Sequence, residues 1–487
     1  MSMPPREVCD RARQSKDARF DGLFFTGVRS TRIFCRPVCP APTPKPQHIV
    51  YFPSSAAASA AGFRPCLRCR PELSPGTRPA DAKLARALAL IGDGVLQEGS
   101  VDELASRVAL SPRHMRRLFA DKLGATPLRV HQNQRLMLAK QLLSESTMPV
   151  TQVALAAGFS SLRRFNDAFK NHCGSPPTSV RRRASPQPAD ELTLRLSYRP
   201  PFDFAAALEQ LRDYALPGVE LVSRADYSRR VSASCWIRIS ARPDKPELLL
   251  SVYGAKADEV QGWVRRARRM LDLDADMRSV HDAVRADAAL VRSIEQRPGL
   301  RIVGAWDGFE AAVLELLQAD VRAPKLARSW ARRLVETWGE RSLLASDGLE
   351  WCFPTPDRLV RAEFEEALGL LGLEPSTAQT LRRLSKAVNV GAVHFGAGQV
   401  LEDFVAGFAH ATGAPARCGE AVALRAMGDP DAMAISRGGR SLPIDTGLLA
   451  KSGRWRPWRA YALAHWVASA EDAMPGIDPV PRRRVPA

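Results

Sequence analysis

The sequence predicts a multidomain α+β protein: a small four-cysteine domain, then an all-α double helix-turn-helix domain, then a larger α+β region. Three observations support this fold class. Two close pairs of cysteines lie near the start, an internal repeat follows them, and strand-like segments later give way to helices. At 487 residues the chain is too long for one hydrophobic core, so its length alone predicts three or four domains.

The two cysteine pairs are Cys35-x3-Cys39 and Cys66-x2-Cys69, whereas the other five cysteines are scattered singly. Each pair can bind one metal ion from a single turn, and the intervening residues 40–65 can form the small fold that brings the pairs together. The pattern therefore predicts a tetrahedral Zn²⁺ site with these four cysteines as ligands. Two metal-free reduced pairs or two disulfides are the alternatives, but nothing in the sequence indicates secretion.

The charge is unevenly distributed along the chain. Residues 1–190 contain 29 Lys and Arg against 14 Asp and Glu, whereas residues 191–487 contain 41 against 38. A basic surface concentrated in the first two-fifths favours nucleic acid as a partner, and we expect this part to carry most of the salt-sensitive DNA affinity. The sequence shows neither a signal peptide nor an apolar run of about 18 to 20 residues, so we expect a cytoplasmic protein.

An internal repeat lies between two turn-rich segments, residues 71–80 and 181–190. Ala105 and Ser111 recur 49 residues later as Ala154 and Ser160, and Phe119, Gly124 and Pro127 recur 50 residues later as Phe169, Gly174 and Pro177. A repeat of this kind implies two copies of one helical unit. Each copy has the pattern of a helix, a tight turn and a second helix.

Capping signals place these helices. Ser100 and Glu103 form a capping box before the first helix, and Ser111-Pro112 starts the second. In the second copy, Pro149 opens the first helix and Ser160 is expected to cap the second.

The outward faces of the two second helices carry polar side chains that can reach base edges and phosphates in a major groove. These side chains are Arg113, His114, Arg116, Arg117, Arg163, Arg164 and Asn166. A solvated basic face is the alternative for a single helix. Two such helices, one repeat apart, favour DNA binding.

The stretches FDGLFFTGVRSTRIFCRPVCP and YFPSSAAASAAGFRPCLRCRPE resemble the zinc domain of the Ada family of alkylation-response proteins. Residues 81–183 resemble the AraC-type double helix-turn-helix that follows it. The resemblance implies that zinc-bound Cys35 irreversibly accepts a methyl group from a methylated phosphate in DNA. Loss of one negative charge would then tighten DNA binding and activate transcription, with RNA polymerase as a further partner. A purely structural zinc site is the alternative.

Residues 191–487 form a different unit. The segments SCWIRISA and ELLLSVYG suggest an antiparallel sheet with flanking helices, and from about residue 281 the pattern is helical. The motifs RPPFDF, PGLRIVGAWDGFEAAV, WCFPTPDRL, ALRAMGDPDAM, LPIDTGLL and RWRPWRAYALAHW resemble the AlkA-type DNA-3-methyladenine glycosylases, which contain a helix-hairpin-helix. That family excises alkylated purines flipped out of the duplex.

The resemblance to the glycosylases implies two site residues. Asp445 matches the carboxylate that stabilises positive charge on the sugar, and Trp466 is a candidate for the wall of the base pocket. An ordinary helix N-cap is the alternative for Asp445. Packing in the core is the alternative for Trp466.

The hairpin departs from the family pattern. Within the aligned stretch 413–421, Pro415 replaces a glycine, Arg417 a tryptophan and Ala421 a tyrosine. Proline removes an N–H donor, and two aromatic pocket walls are missing. Two functions therefore stay open beside the bifunctional repair protein: a methylation-sensing activator with a degenerate glycosylase domain, and a zinc-dependent regulator without chemistry.

The expected domain boundaries follow from these observations. Residues 1–76 are expected to form the zinc methyl-acceptor domain and residues 77–185 the double helix-turn-helix domain. Residues 190–280 are expected to form the α+β subdomain and residues 281–478 the helical helix-hairpin-helix domain. The expected DNA partners are methylated backbone, promoter sites and alkylated bases.

Overall fold

The computed structural model describes residues 3–76, 79, 81–181, 191–254, 259–319, 324–343, 348–360, 373–396, 399–434, 436–437, 440–441 and 451–473. None of the helices in these ranges combines the length and the apolar character that a membrane crossing requires. The fold class predicted from the sequence is confirmed, because a small cysteine-bearing sheet, a helical region, a larger antiparallel sheet and a second helical region follow one another.

The first region is a small sheet with two helices. Its elements are α1 (Arg6–Gln14), β1 (Phe25–Val28), β2 (Ile33–Cys35), β3 (Ile49–Phe52), α2 (Ser55–Ala60) and β4 (Arg64–Pro65). The strand order is β3-β1-β2-β4, with β1 antiparallel to both neighbours and β4 parallel to β2. Phe34 lies opposite Pro65, so the parallel pair sets Cys35 and Cys66 side by side.

The second region is all-α. Its helices are α3 (Ala82–Gly92), α4 (Val95–Glu98), α5 (Val101–Arg107), α6 (Pro112–Leu123), α7 (Pro127–Glu145), α8 (Val150–Ala156), α9 (Leu162–Cys173) and α10 (Pro177–Arg181). The repeat is confirmed, because the pairs α5–α6 and α8–α9 flank the long helix α7. Each second helix ends at a glycine with positive φ, Gly124 or Gly174, which supplies the left-handed cap.

The caps agree with the sequence at three of four helix starts. Ser100 Oγ accepts a hydrogen bond from the amide of Glu103, Ser111 caps α6, and α8 begins directly after Pro149. The assignment of Ser160 as the cap of α9 is wrong. The cap is Ser161, because the helix begins at Leu162 and only Ser161 Oγ lies within reach of the Arg164 amide.

The third region is a five-stranded antiparallel sheet with helices. Its elements are β5 (Glu191–Ser197), α11 (Phe204–Tyr214), β6 (Glu220–Val222), β7 (Asp226–Ser232), β8 (Cys235–Ala241), β9 (Glu247–Tyr253) and α12 (Val260–Met270). The strand order is β5-β9-β8-β7-β6. Alternate residues of β5, β8 and β9 are buried; Leu194, Ile237 and Leu250 are completely buried and share one hydrophobic cluster with Leu142 of α7. The sheet is thus packed against the preceding helical region.

The last region is mainly helical. Its elements are α13 (Met277–Val284), α14 (Ala288–Gln296), α15 (Gly308–Ala319), α16 (Pro324–Trp338), β10 (Glu340–Arg341), β11 (Trp351–Cys352), α17 (Pro375–Asn389), α18 (Leu401–Thr412), α19 (Ala416–Val422), β12 (Ser436–Arg437), β13 (Arg440–Ser441) and α20 (Arg459–Ala473). A π-helical turn, Ala423–Met427, extends α19.

A helix-hairpin-helix is formed by α18, a short turn and α19. Gly413 ends α18 with φ of +77°, and the Ala414 amide donates to Thr412 Oγ1 at 3.1 Å. Pro415 is the N-cap of α19, and its carbonyl accepts the amide of Cys418 at 2.9 Å. The proline is tolerated because an N-cap residue donates no hydrogen bond inside its own helix.

A buried histidine makes this helical region sensitive to acid. His465 on α20 is 0% exposed; its Nδ1 lies 3.1 Å from Ser293 Oγ, and its ring centroid lies 5.7 Å from that of His281. Burial, with smaller effects of His281 and Arg297, lowers the pKa of His465 to about 4. An unfolded histidine titrates near about 6.5. The neutral form is therefore favoured in the folded state.

We predict that the buried His465 lowers the free energy of unfolding as the pH falls from about 6.5 towards 4. In this range the unfolded chain binds a proton at this histidine that the folded chain does not bind. The loss approaches about 1.4 kcal/mol per pH unit within this window. Denaturant unfolding at pH 7.5 and pH 5 should show a smaller pH dependence in His465→Gln than in the wild type. Equal pH dependence in the two proteins would contradict this role.

Candidate metal centre and nucleic-acid surfaces

The ends of β2 and β4, with the loops that follow them, bring Cys35, Cys39, Cys66 and Cys69 together. Their four Sγ atoms all lie within 4.8 Å of one another. Tetrahedral zinc with Zn–S bonds of about 2.3 Å requires S–S distances of about 3.8 Å, so the cluster has the dimensions of a four-thiolate zinc site. Cys66 and Cys69 are 7% and 6% exposed, whereas Cys35 and Cys39 are half-buried and can be reached from outside.

The electrostatics of the cluster also fit a cation. The Cys39 sulfur, with burial as a further cause, raises the pKa of Cys35 above its ordinary value, whereas the Cys35 sulfur lowers the pKa of Cys39 to about 7. These opposite shifts arise because the two sulfurs share a hydrogen bond: Cys35 keeps its proton and donates it to the Cys39 thiolate. Deprotonating all four sulfurs would place four negative charges next to one another. A divalent cation at the centre offsets this repulsion and allows all four sulfurs to be deprotonated.

The four sulfurs differ in their contacts with backbone amides. The Arg36 amide donates to Cys69 Sγ at 3.3 Å, and the Arg68 amide donates to Cys66 Sγ at 3.4 Å. Within the described ranges, no amide donates to Cys35. An N–H donor stabilises negative charge on sulfur and so lowers its nucleophilicity. Cys35 is therefore a half-buried sulfur whose electron pair is more available than those of Cys66 and Cys69.

A buried ion pair holds the loop that carries the first cysteine pair. The Arg36 guanidinium contacts both carboxylate oxygens of Asp21, with Nε at 3.0 Å from each, and its Nη1 donates to the Cys69 carbonyl at 3.2 Å. Ser74 Oγ donates to the same carboxylate at 3.3 Å. Neither Asp21 nor Arg36 is among the site residues predicted from the sequence.

The basic faces of α6 and α9 lie where the repeat places them. All seven predicted side chains are exposed: Arg113, His114, Arg116, Arg117, Arg163, Arg164 and Asn166. The opposite faces are buried through Met115 and Phe119 in α6 and through Phe165 and Phe169 in α9. Arg116 is partly neutralised by Asp102 at 3.6 Å. The other cationic side chains of the two faces are exposed to solvent.

The structure describes four of the residues singled out in the last region: Trp466 and the three hairpin positions. Trp466 is partly buried against the hydrophobic cluster that joins α13, α14 and α20, which is the packing alternative. Asp445 lies outside the described residues. At the hairpin, Pro415 and Arg417 are exposed, whereas Ala421 is buried at 3% exposure.

Comparison with known proteins identifies three matching regions. The family described as the metal binding domain of Ada matches residues 8–72, a helix-turn-helix domain matches residues 104–183, and the AlkA N-terminal domain matches residues 193–307. These matches cover the cysteine cluster, most of the repeat and the five-stranded sheet.

Three relatives show how these regions combine. The "Probable bifunctional transcriptional activator/DNA repair enzyme AlkA" of Mycobacterium tuberculosis is 34% identical over 480 residues, which cover 94% of this chain and 95% of that protein. The Escherichia coli "Bifunctional transcriptional activator/DNA repair enzyme Ada" is 36% identical over 30% of this chain and 40% of its own length. The E. coli "DNA-3-methyladenine glycosylase 2" is 28% identical over 55% of this chain and 95% of its own length.

We predict that Cys66→Ser removes zinc from the purified protein, because it replaces one of the two deeply buried sulfurs with a poorer zinc ligand. The zinc content per chain should fall well below that of the wild type. Cys173→Ser is the control, since Cys173 is equally buried but lies in α9, outside the cluster. Full zinc content in Cys66→Ser would contradict the assignment of this cluster as the metal centre.

Proposed function

Because the chain belongs to the family of bifunctional transcriptional activators and DNA repair enzymes that join an Ada-type metal-binding domain to an AlkA-type domain, we propose two activities for it. Zinc-bound Cys35 accepts a methyl group from DNA methylphosphotriesters and thereby activates sequence-specific transcription. The C-terminal half excises alkylated purines such as 3-methyladenine by N-glycosidic hydrolysis. The observation that carries the first activity is the cluster of four sulfurs in which Cys35 lacks an amide donor.

The first activity is a single methyl transfer. Cys35, Cys39, Cys66 and Cys69 would hold Zn²⁺, which when bound keeps the four sulfurs deprotonated at neutral pH. An electron pair of Cys35 Sγ attacks the methyl carbon, the C–S bond forms as the C–O bond breaks, and the phosphodiester anion leaves. The product is a thioether, so each chain reacts once.

Methyl transfer changes the charge next to the DNA. The thioether carries no negative charge, so the cluster repels DNA phosphates less after the reaction. The exposed cationic side chains of α6 and α9 then hold the promoter more tightly, and bound protein recruits RNA polymerase. The proposal places the protein in the cytoplasm and assigns this sensing function to residues 1–76 and 77–185.

The second activity is assigned to residues 190–280 and 281–478. A purine methylated on its ring is cationic and leaves readily, so one carboxylate near the sugar is the main requirement. We assign this role to Asp445 because its Leu-Pro-x-Asp context resembles that of the AlkA-type glycosylases. A degenerate glycosylase domain is the second candidate, and the observation that favours it is the hairpin, where Pro415, Arg417 and Ala421 replace the residues typical of the family.

We predict that incubation with methylated DNA adds the mass of one CH₂ group to each wild-type chain. Peptide mapping should place the added mass on Cys35, because that sulfur is half-buried, lacks the amide donors of Cys66 and Cys69, and matches the acceptor cysteine of the Ada family. Cys9→Ser, which removes a buried thiol outside the cluster, should be methylated as fully as the wild type. Methylation of a different cysteine, or no mass gain in zinc-loaded protein, would refute the role of Cys35.

We predict that the wild type releases free 3-methyladenine from alkylated duplex DNA and that Asp445→Asn abolishes the release, because the variant lacks the carboxylate. Asp403→Asn, at an exposed position on α18, is the matched control and should keep the wild-type rate. Absence of release from a wild-type protein that still methylates Cys35 would favour the degenerate glycosylase domain.

A further inference from the structure

The loop that carries Cys35 and Cys39 (the acceptor loop) is supported through hydrogen bonds by residues of the region from residue 190 to 478 (the glycosylase-like half). Arg36 directly follows Cys35, and its amide and its guanidinium both contact Cys69. The position of Arg36 therefore sets the position of two of the four cysteines. Arg36 is in turn fixed by the carboxylate of Asp21, which is 3% exposed.

Asp21 is itself held by an arginine of the sheet region, 178 residues away in the sequence. The Asp21 carbonyl accepts a hydrogen bond from Arg199 Nη1 at 3.2 Å, and Arg199 is 1% exposed. The neighbouring Gly22 has φ of +80°, and a β-carbon there would collide with the Pro75 carbonyl oxygen. The segment that carries Asp21 is thus confined between Arg199 and the chain that leaves the cysteine cluster.

The chain leaving the cluster is held by the same region. The Gly76 amide donates to Asp274 Oδ1 at 2.8 Å, and the Asp274 carbonyl accepts a hydrogen bond from Arg199 Nη2. Arg268 of α12 holds the Asp274 carboxylate in place, with its Nε at 3.1 Å from Oδ1. Arg199 and Asp274 therefore hold both segments that flank the acceptor loop.

Arg199 is anchored deep in the glycosylase-like half. Its carbonyl accepts a hydrogen bond from Arg301 Nη2 at 2.6 Å, and Arg301 Nη1 donates to the carbonyl of Asp272. The carboxylate of Asp272 accepts a hydrogen bond from the Tyr461 hydroxyl at 2.5 Å. A continuous buried chain of polar contacts therefore runs from the cysteine cluster to the last described helix, α20.

We propose that Arg199, supported by Asp274, is a positioning residue for methyl transfer: the glycosylase-like half holds the Cys35 loop in its reactive geometry. This inference rests on the proposed function of Cys35. Burying a guanidinium is costly, and Arg199 Nε has no hydrogen-bond partner in the described structure. A contact serving only to pack two domains could be made by apolar side chains without this cost. The guanidinium adds two directional hydrogen bonds, one to the Asp21 carbonyl and one to the Asp274 carbonyl.

The test uses full-length, metal-loaded protein and two readouts. The first is the single-turnover rate of Cys35 methylation on methylated duplex DNA. The second is the visible absorption of protein in which Co²⁺ replaces zinc, because this spectrum reports the arrangement of the four sulfurs without any reaction. Arg199→Met should slow methylation by about tenfold or more and change the Co²⁺ spectrum, and Arg199→Lys should recover part of both.

Arg230→Met is the matched control. Arg230 is also 1% exposed and lies in β7 of the sheet that Arg199 follows, but its Nε donates to the Leu349 carbonyl, away from the cysteine cluster. This variant should leave the methylation rate and the Co²⁺ spectrum unchanged. Equal slowing in both variants would overturn the proposal, since it would indicate a general effect of removing a buried arginine.

Two further outcomes are decisive. A folded Arg199→Met protein with the wild-type rate and spectrum would overturn the proposal. Should Arg199→Met fail to fold, Asp274→Ala tests the other contact of the supporting residues, because it removes the carboxylate that accepts the Gly76 amide, and the proposal requires slower methylation and a changed spectrum there. A wild-type protein that transfers no methyl group would refute the proposed function, whereas the Co²⁺ spectra would still decide whether Arg199 positions the cluster.

Discussion

The mutual repulsion of four crowded sulfurs is the constraint on which the first region depends. This region has strands of only two to four residues, and its two hydrophobic clusters are small, one of them completed by Met137 of α7. A domain with so little apolar core needs a metal ion or a neighbour for stability. A cation that offsets the repulsion of four thiolates therefore also helps to stabilise the domain, and in the proposed function one of the same sulfurs is the nucleophile. The stability of the first region and its proposed reactivity therefore both depend on the interaction of the cation with the four sulfurs.

Buried charged side chains, rather than apolar contacts alone, join the cysteine region to its neighbours. Besides Arg199, the side chain of Glu72 is completely buried against Lys140 of α7, and Glu145 accepts hydrogen bonds from Arg195 of β5. Buried ion pairs add little net stability, because desolvation offsets their attraction, but they have strict geometry. They are suited to fixing the orientation of the regions relative to one another. The first residues of the turn-rich segment 71–80 are therefore packed against the protein, since Pro71 and Leu73 are buried.

How far the sequence predicts the structure depends on the range of the interactions. Cysteine spacing, the fifty-residue repeat and the caps at Ser100 and Ser111 are local signals, and the structure agrees with them. The sequence predicts the wrong serine as the N-cap of α9, because Ser160 and Ser161 can both cap a helix. Only the residue at which the helix begins distinguishes them. The contacts of Asp21 with Arg36 and Arg199 span 15 and 178 residues. No pattern in a single sequence marks such partners, so the support behind the metal centre could not be predicted.

These long-range contacts bear on why the glycosylase-like half keeps its fold despite an altered hairpin. Pro415 costs the hairpin only an amide that α19 does not use, so the fold survives a change that removes a possible phosphate donor. The sheet region, by contrast, carries Arg199 and Asp274, on which the acceptor loop depends. Coupling between two sites is reciprocal in binding free energy. If the glycosylase-like half stabilises one conformation of the acceptor loop, the conformation of the acceptor loop in turn affects the glycosylase-like half. Under this coupling, the glycosylase-like half contributes to methyl sensing whether or not it excises bases, and mutation of Arg199 affects both the acceptor loop and the glycosylase-like half.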